Sequence, residues 1–144
     1  MAGIAARPTI LSMSDMQLVP VFADIANVVG ISGPSLSLDS ADVTSHDSTG
    51  GWEEVVPTIL RTGEVTFEIN YDPTEATHNA TAGLPFVLET AQLTDFTLLL
   101  PIPAPGGTLW EFEGYVTGFE PGAPHDGKLT ASVTIKIDGV PTLV

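Results

Sequence analysis

The chain contains no cysteine. Disulfides, thiolate zinc sites and a cysteine nucleophile are therefore excluded. Basic residues are almost as scarce. Arg7, Arg61, Lys128 and Lys136 are the whole complement against eighteen acids, a formal net charge of −14. Gripping nucleic acid needs Lys and Arg against phosphate, so this composition argues against such a role. It does not exclude letting a polyanion pass without sticking; plain solubility or halophilic adaptation is the alternative reading of the charge. No apolar run approaches the roughly 20 residues of a membrane helix. The N-terminal stretch MAGIAARPTILSMSDMQLVPVF is interrupted by Pro8, Ser12, Ser14 and Asp15, and is not expected to act as a signal peptide. Asn79-Ala80-Thr81 matches a glycosylation sequon and is read as chance in that context.

What is present is apolar content of 43% over 144 residues, too high for disorder and enough for the core of one domain, 1–144. Period-two alternation dominates. Val65, Phe67, Ile69 and Tyr71 share one face of EVTFEINY, with Glu64 and Glu68 on the other. KLTASVTIKI (128–137) alternates most cleanly. LWEFEGYV (109–116) places Glu111 and Glu113 opposite Trp110 and Phe112, and Gly114 suggests a bulge or close backbone approach. DFTLLL (95–100) reads as a central strand. FADIANVVGI and SLSLDSADV complete a set of about six, with a phase slip between Leu38 and Ala41 that predicts a bulge. Asp72-Pro73 followed by Glu75 predicts a helix start, and Ala76, Ala80, Leu84, Val87, Leu88 and Ala91 continue at helical spacing, so one helix is expected over 73–91. Residues 1–18 read as an arm, and Pro101 to Gly107 as a stiff connector. The expected fold is mainly β: a small barrel or sandwich of about six strands with one flanking α-helix.

The stretch DVTSHDSTGGWEEVVPTIL (42–60) gathers Asp42, Ser45, His46, Asp47, Ser48, Glu53 and Glu54. Neighbours in sequence point apart, and no Gly-x-Ser-x-Gly elbow is present, so a nucleophilic site is not supported. The other histidines, His78 and His125, fall elsewhere. Asp39, Asp42, His46 and Asp47 match neither an EF-hand nor a His-Glu-x-x-His spacing. No catalytic residue, metal or cofactor is assigned. The roughly seventeen residues 44–60 are long for a hairpin connection. They carry Trp52, Val55, Val56, Ile59 and Leu60 among charges, the pattern of an interface. A solvated hairpin loop is the plain alternative.

The ordered series Gly33-Pro34, Asp42-Val43-Thr44-Ser45, Gly50-Gly51 with an aromatic, Leu60 to Gly63, Asn70-Tyr71-Asp72-Pro73 and Thr77-His78 resembles the tail tube (major tail) protein of long-tailed, non-contractile phages. It covers residues 30–90 well and the last strands more loosely; Pro85 departs from the pattern. The resemblance implies a structural virion protein, not an enzyme. It implies rings, usually of six, stacking into a tube whose acidic lumen conducts DNA during ejection. Sheets of ring neighbours would join, and the arm and long loop would bridge stacked rings. An inter-ring interface is thus expected at Thr44, His46, Asp47, Trp52, Glu53, Glu54, Val55 and Val56, and lumen-facing acids at Glu64, Glu68, Glu111 and Glu113. The implied partners are the chain itself, tape measure, initiator and terminator proteins, and DNA in passage, with no membrane. The implied location is the virion tail tube, with assembly in the host cytoplasm. Because the sequence stops at Val144, the immunoglobulin-like domain appended in some relatives is not expected. The competing classes are a capsid decoration protein and a carbohydrate-binding or adhesion module, for which Trp110 would be the platform.

Overall fold

The computed structural model describes residues 9–14, 22–100 and 109–143. Its elements are β1 (Ile10–Ser14), β2 (Phe22–Asp24), β3 (Val28–Ser32), β4 (Leu36–Asp42), β5 (Val55–Thr62), β6 (Glu64–Asn70), α1 (Leu84–Thr90), β7 (Thr94–Leu99), β8 (Leu109–Gly122) and β9 (Thr130–Leu143). Seven strands form one antiparallel sheet in the order β2-β1-β7-β8-β9-β6-β3, and β4 pairs only with β5.

Alternation assigns one sheet face to the core. On β6, Val65, Phe67 and Ile69 are buried while Glu64, Thr66 and Glu68 are exposed. The register places Ile135, Val133 and Ala131 of β9 opposite those three, so the apolar face continues across the pair. It runs on through Val116 and Phe112 of β8, Phe96 and Leu98 of β7, and Leu11 and Met13 of β1. Phe96 and Phe112 stack at 5.7 Å. α1 packs on this face against β8 with Leu84 and Val87 buried.

The sheet is rolled. β2 and β3 are its opposite edges, yet only Ile25, Ala26 and Asn27 separate them. Six strand spacings laid flat would put them about 29 Å apart. The four chain steps from Asp24 to Val28 reach at most about 14 Å. The edges must therefore curl toward each other, although among the described residues no ladder joins them and the barrel is left open. His78 fixes this corner. It is fully buried, its Nδ1 accepts the Asp72 N–H at 3.1 Å, and its Nε2–H donates to the Ala26 carbonyl at 2.7 Å. The Ala26 N–H in turn donates to the Thr77 hydroxyl at 3.1 Å.

Several expectations are corrected. The arm assigned to residues 1–18 contributes β1, whose Leu11 and Met13 are core residues; residues 1–8 and 15–18 lie outside the described residues, as does the 101–107 connector. The segment 22–31 divides into β2 and β3 at the corner. Residues 55–60, expected as loop, belong to β5, so the connection spans only 43–54. The helix expected over 73–91 is confined to Leu84–Thr90, and residues 73–82 form turns. Asp72 does not cap a helix. Its Oδ1 accepts the Thr74 N–H at 3.0 Å and hydroxyl at 2.7 Å, closing a local turn. The helix begins instead at Gly83 with Pro85 in its first turn. A Cβ at Gly83 would lie 2.6 Å from backbone atoms of Thr77 and Asn79, so glycine permits the turn to pack there. The expected slip near Leu38 is a bulge between Leu38 and Ser40. On β8 the register with β9 shifts twice, between Glu111 and Glu113 and between Val116 and Gly118, while Gly114 is the site of close approach, 2.7 Å from its would-be Cβ to the Lys136 carbonyl.

Candidate functional site

Two surfaces stand out. The first is the β4–β5 ribbon. β3 runs into β4 and β5 into β6, so the ribbon extends the β3–β6 pair beyond the sheet. The departure point is tight: the Gly63 N–H donates to the Ser35 carbonyl at 2.6 Å, and a Cβ on Gly63 would meet that oxygen at the same distance. Eight strand residues extend about 27 Å. On β4, Leu36, Leu38, Ser40 and Asp42 alternate onto one face, and their partners Thr62, Leu60, Pro57 and Val55 join them. Leu36, Leu38, Leu60 and Val55 are all exposed, Leu60 at 81%. The reverse face carries Arg61, whose Nε donates to Asp39 at 2.6 Å. Val56 and Ile59 are exposed as well. A lone two-stranded ribbon is marginal in water.

The ribbon tip, 43–54, holds the residues that suggested a triad or metal site. Of these, Asp42, Ser45 and Ser48 serve the loop's own backbone. Thr44 Oγ1 accepts the Glu54 N–H at 2.8 Å, and the Val43 N–H donates to the Glu54 carbonyl at 2.9 Å. Ser48 Oγ accepts the Ser45 N–H at 3.0 Å. Asp42 accepts the Thr44 N–H at 2.9 Å, and hydrogen bonds from the Thr44 hydroxyl and N–H lower its pKa below 3.8. His46, Asp47, Glu53 and Glu54 are exposed and project into solvent, with Trp52 77% exposed among them. Among the described residues no group of three or more His, Asp or Glu is arranged to hold a metal ion, and no helix is long and apolar enough to cross a membrane.

The second surface is the polar face of the sheet. The register brings Glu64, Thr66 and Glu68 beside Lys136, Thr134 and Ser132. Glu120 flanks Ser132, and Tyr115 flanks Lys136. Glu111 lies between Thr97 and Thr142, and Glu113 between Asp95 and Asp138. All four acids singled out in the sequence thus share one face, joined by Asp95, Glu120 and Asp138. The phase of TDFTLL, with Phe96 and Leu98 inward, would have revealed Asp95. The row Asp95, Glu113 and Asp138 juxtaposes three like charges, which opposes folding locally. Lys136, directly across from Glu64, donates its ammonium to the Thr62 carbonyl at 3.3 Å. Trp110, the suggested sugar platform, is half-buried and packs against the core.

A rolled antiparallel sheet with an acidic outer face and a projecting apolar ribbon describes a subunit made for assembly. The family model described as lambda phage tail tube protein matches residues 11–144, and the chain belongs to that family. It is a structural protein of the virion tail and not an enzyme. Its fold is similar to that in "Tail of empty GTA particle computed with helical refinement, C6 symmetry": TM-score 0.74, 17% identity, covering 94% of this chain and 95% of that one. "Virion of native gene transfer agent (GTA) particle" gives 0.74 at 15% identity, covering 99% of each chain. The anti-feeding prophage baseplate, six-fold symmetrised, gives 0.71 at 10% identity, covering 100% and 96%. No curated protein matches the chain. Contractile injection systems share the fold, so fold alone does not separate tail types.

Proposed function

We propose that this chain polymerises as stacked rings of six copies into a tail tube whose acidic lumen conducts DNA during ejection. The polar sheet face carries the reading. It presents Glu64, Glu68, Asp95, Glu111, Glu113, Glu120 and Asp138, and its one cation among the described residues, Lys136, is held against the Thr62 carbonyl. Facing inward, such a wall repels phosphate, so DNA slides and does not adhere. A ring of six multiplies the −14 of each chain sixfold. The edge strand β3, VVGIS, has neither proline nor charge to discourage pairing, which suits sheet continuity with a ring neighbour. The six-fold description of the similar particles supports the ring number. Ring mates, stacked rings, and tape measure, initiator and terminator proteins are the partners in this scheme, with assembly in the host cytoplasm.

The test is a Glu64→Lys, Glu68→Lys double variant in an infectious particle. Tubes should form, DNA delivery should slow or fail, and high salt should ease the defect. Normal delivery, with both positions mapped to the outer wall, would refute the lumen assignment.

A further inference from the structure

The sheet has two ends. At one, Glu64 pairs with Lys136, and the ribbon departs through Gly63. At the other, Asn70 and Gly122 both lie beside Thr130, and the β8–β9 connection turns at residues 123–129. Six residue steps of β6 separate these ends, about 20 Å. Ribbon and turn thus leave the sheet in opposite directions, and the ribbon packs little on the sheet beyond β9.

Their surfaces are complementary. The ribbon tip offers Trp52, 77% exposed, followed in the chain by Glu53 and Glu54 and with Asp47 in the same loop, and no lysine or arginine between residues 43 and 60. Its backbone is tied by the Thr44–Glu54 and Ser45–Ser48 bonds, so the indole is presented from a defined turn. The β8–β9 turn offers exposed Pro124 and Leu129 with Lys128 between them. Among the described residues Lys128 is the cation with neither an ion pair nor a hydrogen bond: Asp39 engages Arg61, and the Thr62 carbonyl engages Lys136. The turn's other ionisable groups are His125 and Asp126, 3.8 Å apart, and Glu120 stands at the adjoining end of β8.

We propose that the ribbon tip of one copy docks on the β8–β9 turn of a copy in the adjoining ring, Trp52 against Pro124 and Leu129 and Lys128 among Asp47, Glu53 and Glu54. This rests on the stacked-ring reading. An open-ended stack needs two different, complementary surfaces at opposite ends of each subunit. In a chain this acidic, two like-charged ends would repel, and the free cation stands at the end where the acidic tip must land. A buried tryptophan ringed by polar groups is the usual anatomy of an interface hot spot.

The absence of cysteine makes the test direct. Thr49→Cys and Ala123→Cys, exposed positions in the same two turns that leave Trp52, Leu129 and Lys128 in place, put in one chain and oxidised after assembly, should give a ladder of three or more linked chains on a non-reducing gel, because each chain carries one donor and one acceptor. Either single variant lacks a facing thiol across the contact and should run as unlinked chains. Tubes visible by electron microscopy without a ladder would overturn the docking and leave the stacking reading standing; no polymer from the unmodified chain would overturn both. Independently, Lys128→Glu should raise the critical concentration for polymerisation about tenfold, a loss of about 1.4 kcal/mol per contact. Adding Glu53→Lys and Glu54→Lys to that chain should restore it. An unchanged critical concentration in Lys128→Glu would count against the docking.

Discussion

β5 and β6 are consecutive strands separated by one glycine, and their burial is opposite. β6 buries every second residue, whereas β5 buries none. Apolar content does not explain this: β5 has Val55, Val56, Ile59 and Leu60, and β6 has Val65, Phe67 and Ile69. Spacing does. The β6 set falls at i, i+2 and i+4 and fills one face. The β5 set comes as adjacent pairs, so it greases both faces of a ribbon that has no second layer. Apolar residues show that burial is wanted; their period shows whether one chain can supply it. β6 completes its burial at folding, and β5 leaves it to assembly.

The comparison can be broken most severely at Phe67. Phe67→Ala removes a ring 4% exposed in the core and should cost about 3–5 kcal/mol in urea unfolding of unpolymerised protein. The junction comes next. Gly63→Ala forces a Cβ to 2.6 Å from the Ser35 carbonyl and should cost about 1–3 kcal/mol, while skewing the ribbon enough to lower tube yield. Leu60→Ala sharpens the contrast: the monomer should change by less than about 0.5 kcal/mol, yet polymerisation followed by light scattering should fall sharply. Equal losses at Phe67 and Leu60 in the unfolding assay would erase the distinction between the two strands. The smallest effect is expected at Asp72, whose pKa the Thr74 hydroxyl and N–H hold below 3.8. Because the folded value is the lower one, the associated stability is present above the unfolded pKa and fades as pH falls through the folded pKa. Thr74→Val should move the Asp72 carboxyl upward in an NMR titration and trim that acid resistance, with ribbon and sheet otherwise unchanged.

The sheet was legible wherever one face of a strand is wet. Glu64–Asn70 and the first half of β9 followed from alternation alone, and alternation also gave four of the seven acids of the polar face, Glu64, Glu68, Glu111 and Glu113. The ribbon was harder to read, because adjacent apolar pairs and Pro57 mask a period of two. The helix start was misplaced because Asp72-Pro73 with Glu75 has the composition of a cap, and nothing local reveals that Asp72 spends its carboxylate on Thr74 or that Gly83 must sit against Thr77. β1 is five residues, too short to announce itself, and its burial depends on β7, more than 80 positions away. The corner lock at His78 was equally invisible, since Ala26 is 52 residues distant.

The exposed ribbon also gives the molecule a clock. Its ladder is shielded by nothing but its own two strands, so in the free chain its amides should trade hydrogen for deuterium quickly, while those of β6 and β9 wait for global opening. Covered in an assembly, the same amides should slow by orders of magnitude. Isotope uptake at residues 36–42 and 55–62 would then follow polymerisation peptide by peptide, with the sheet serving as the internal standard.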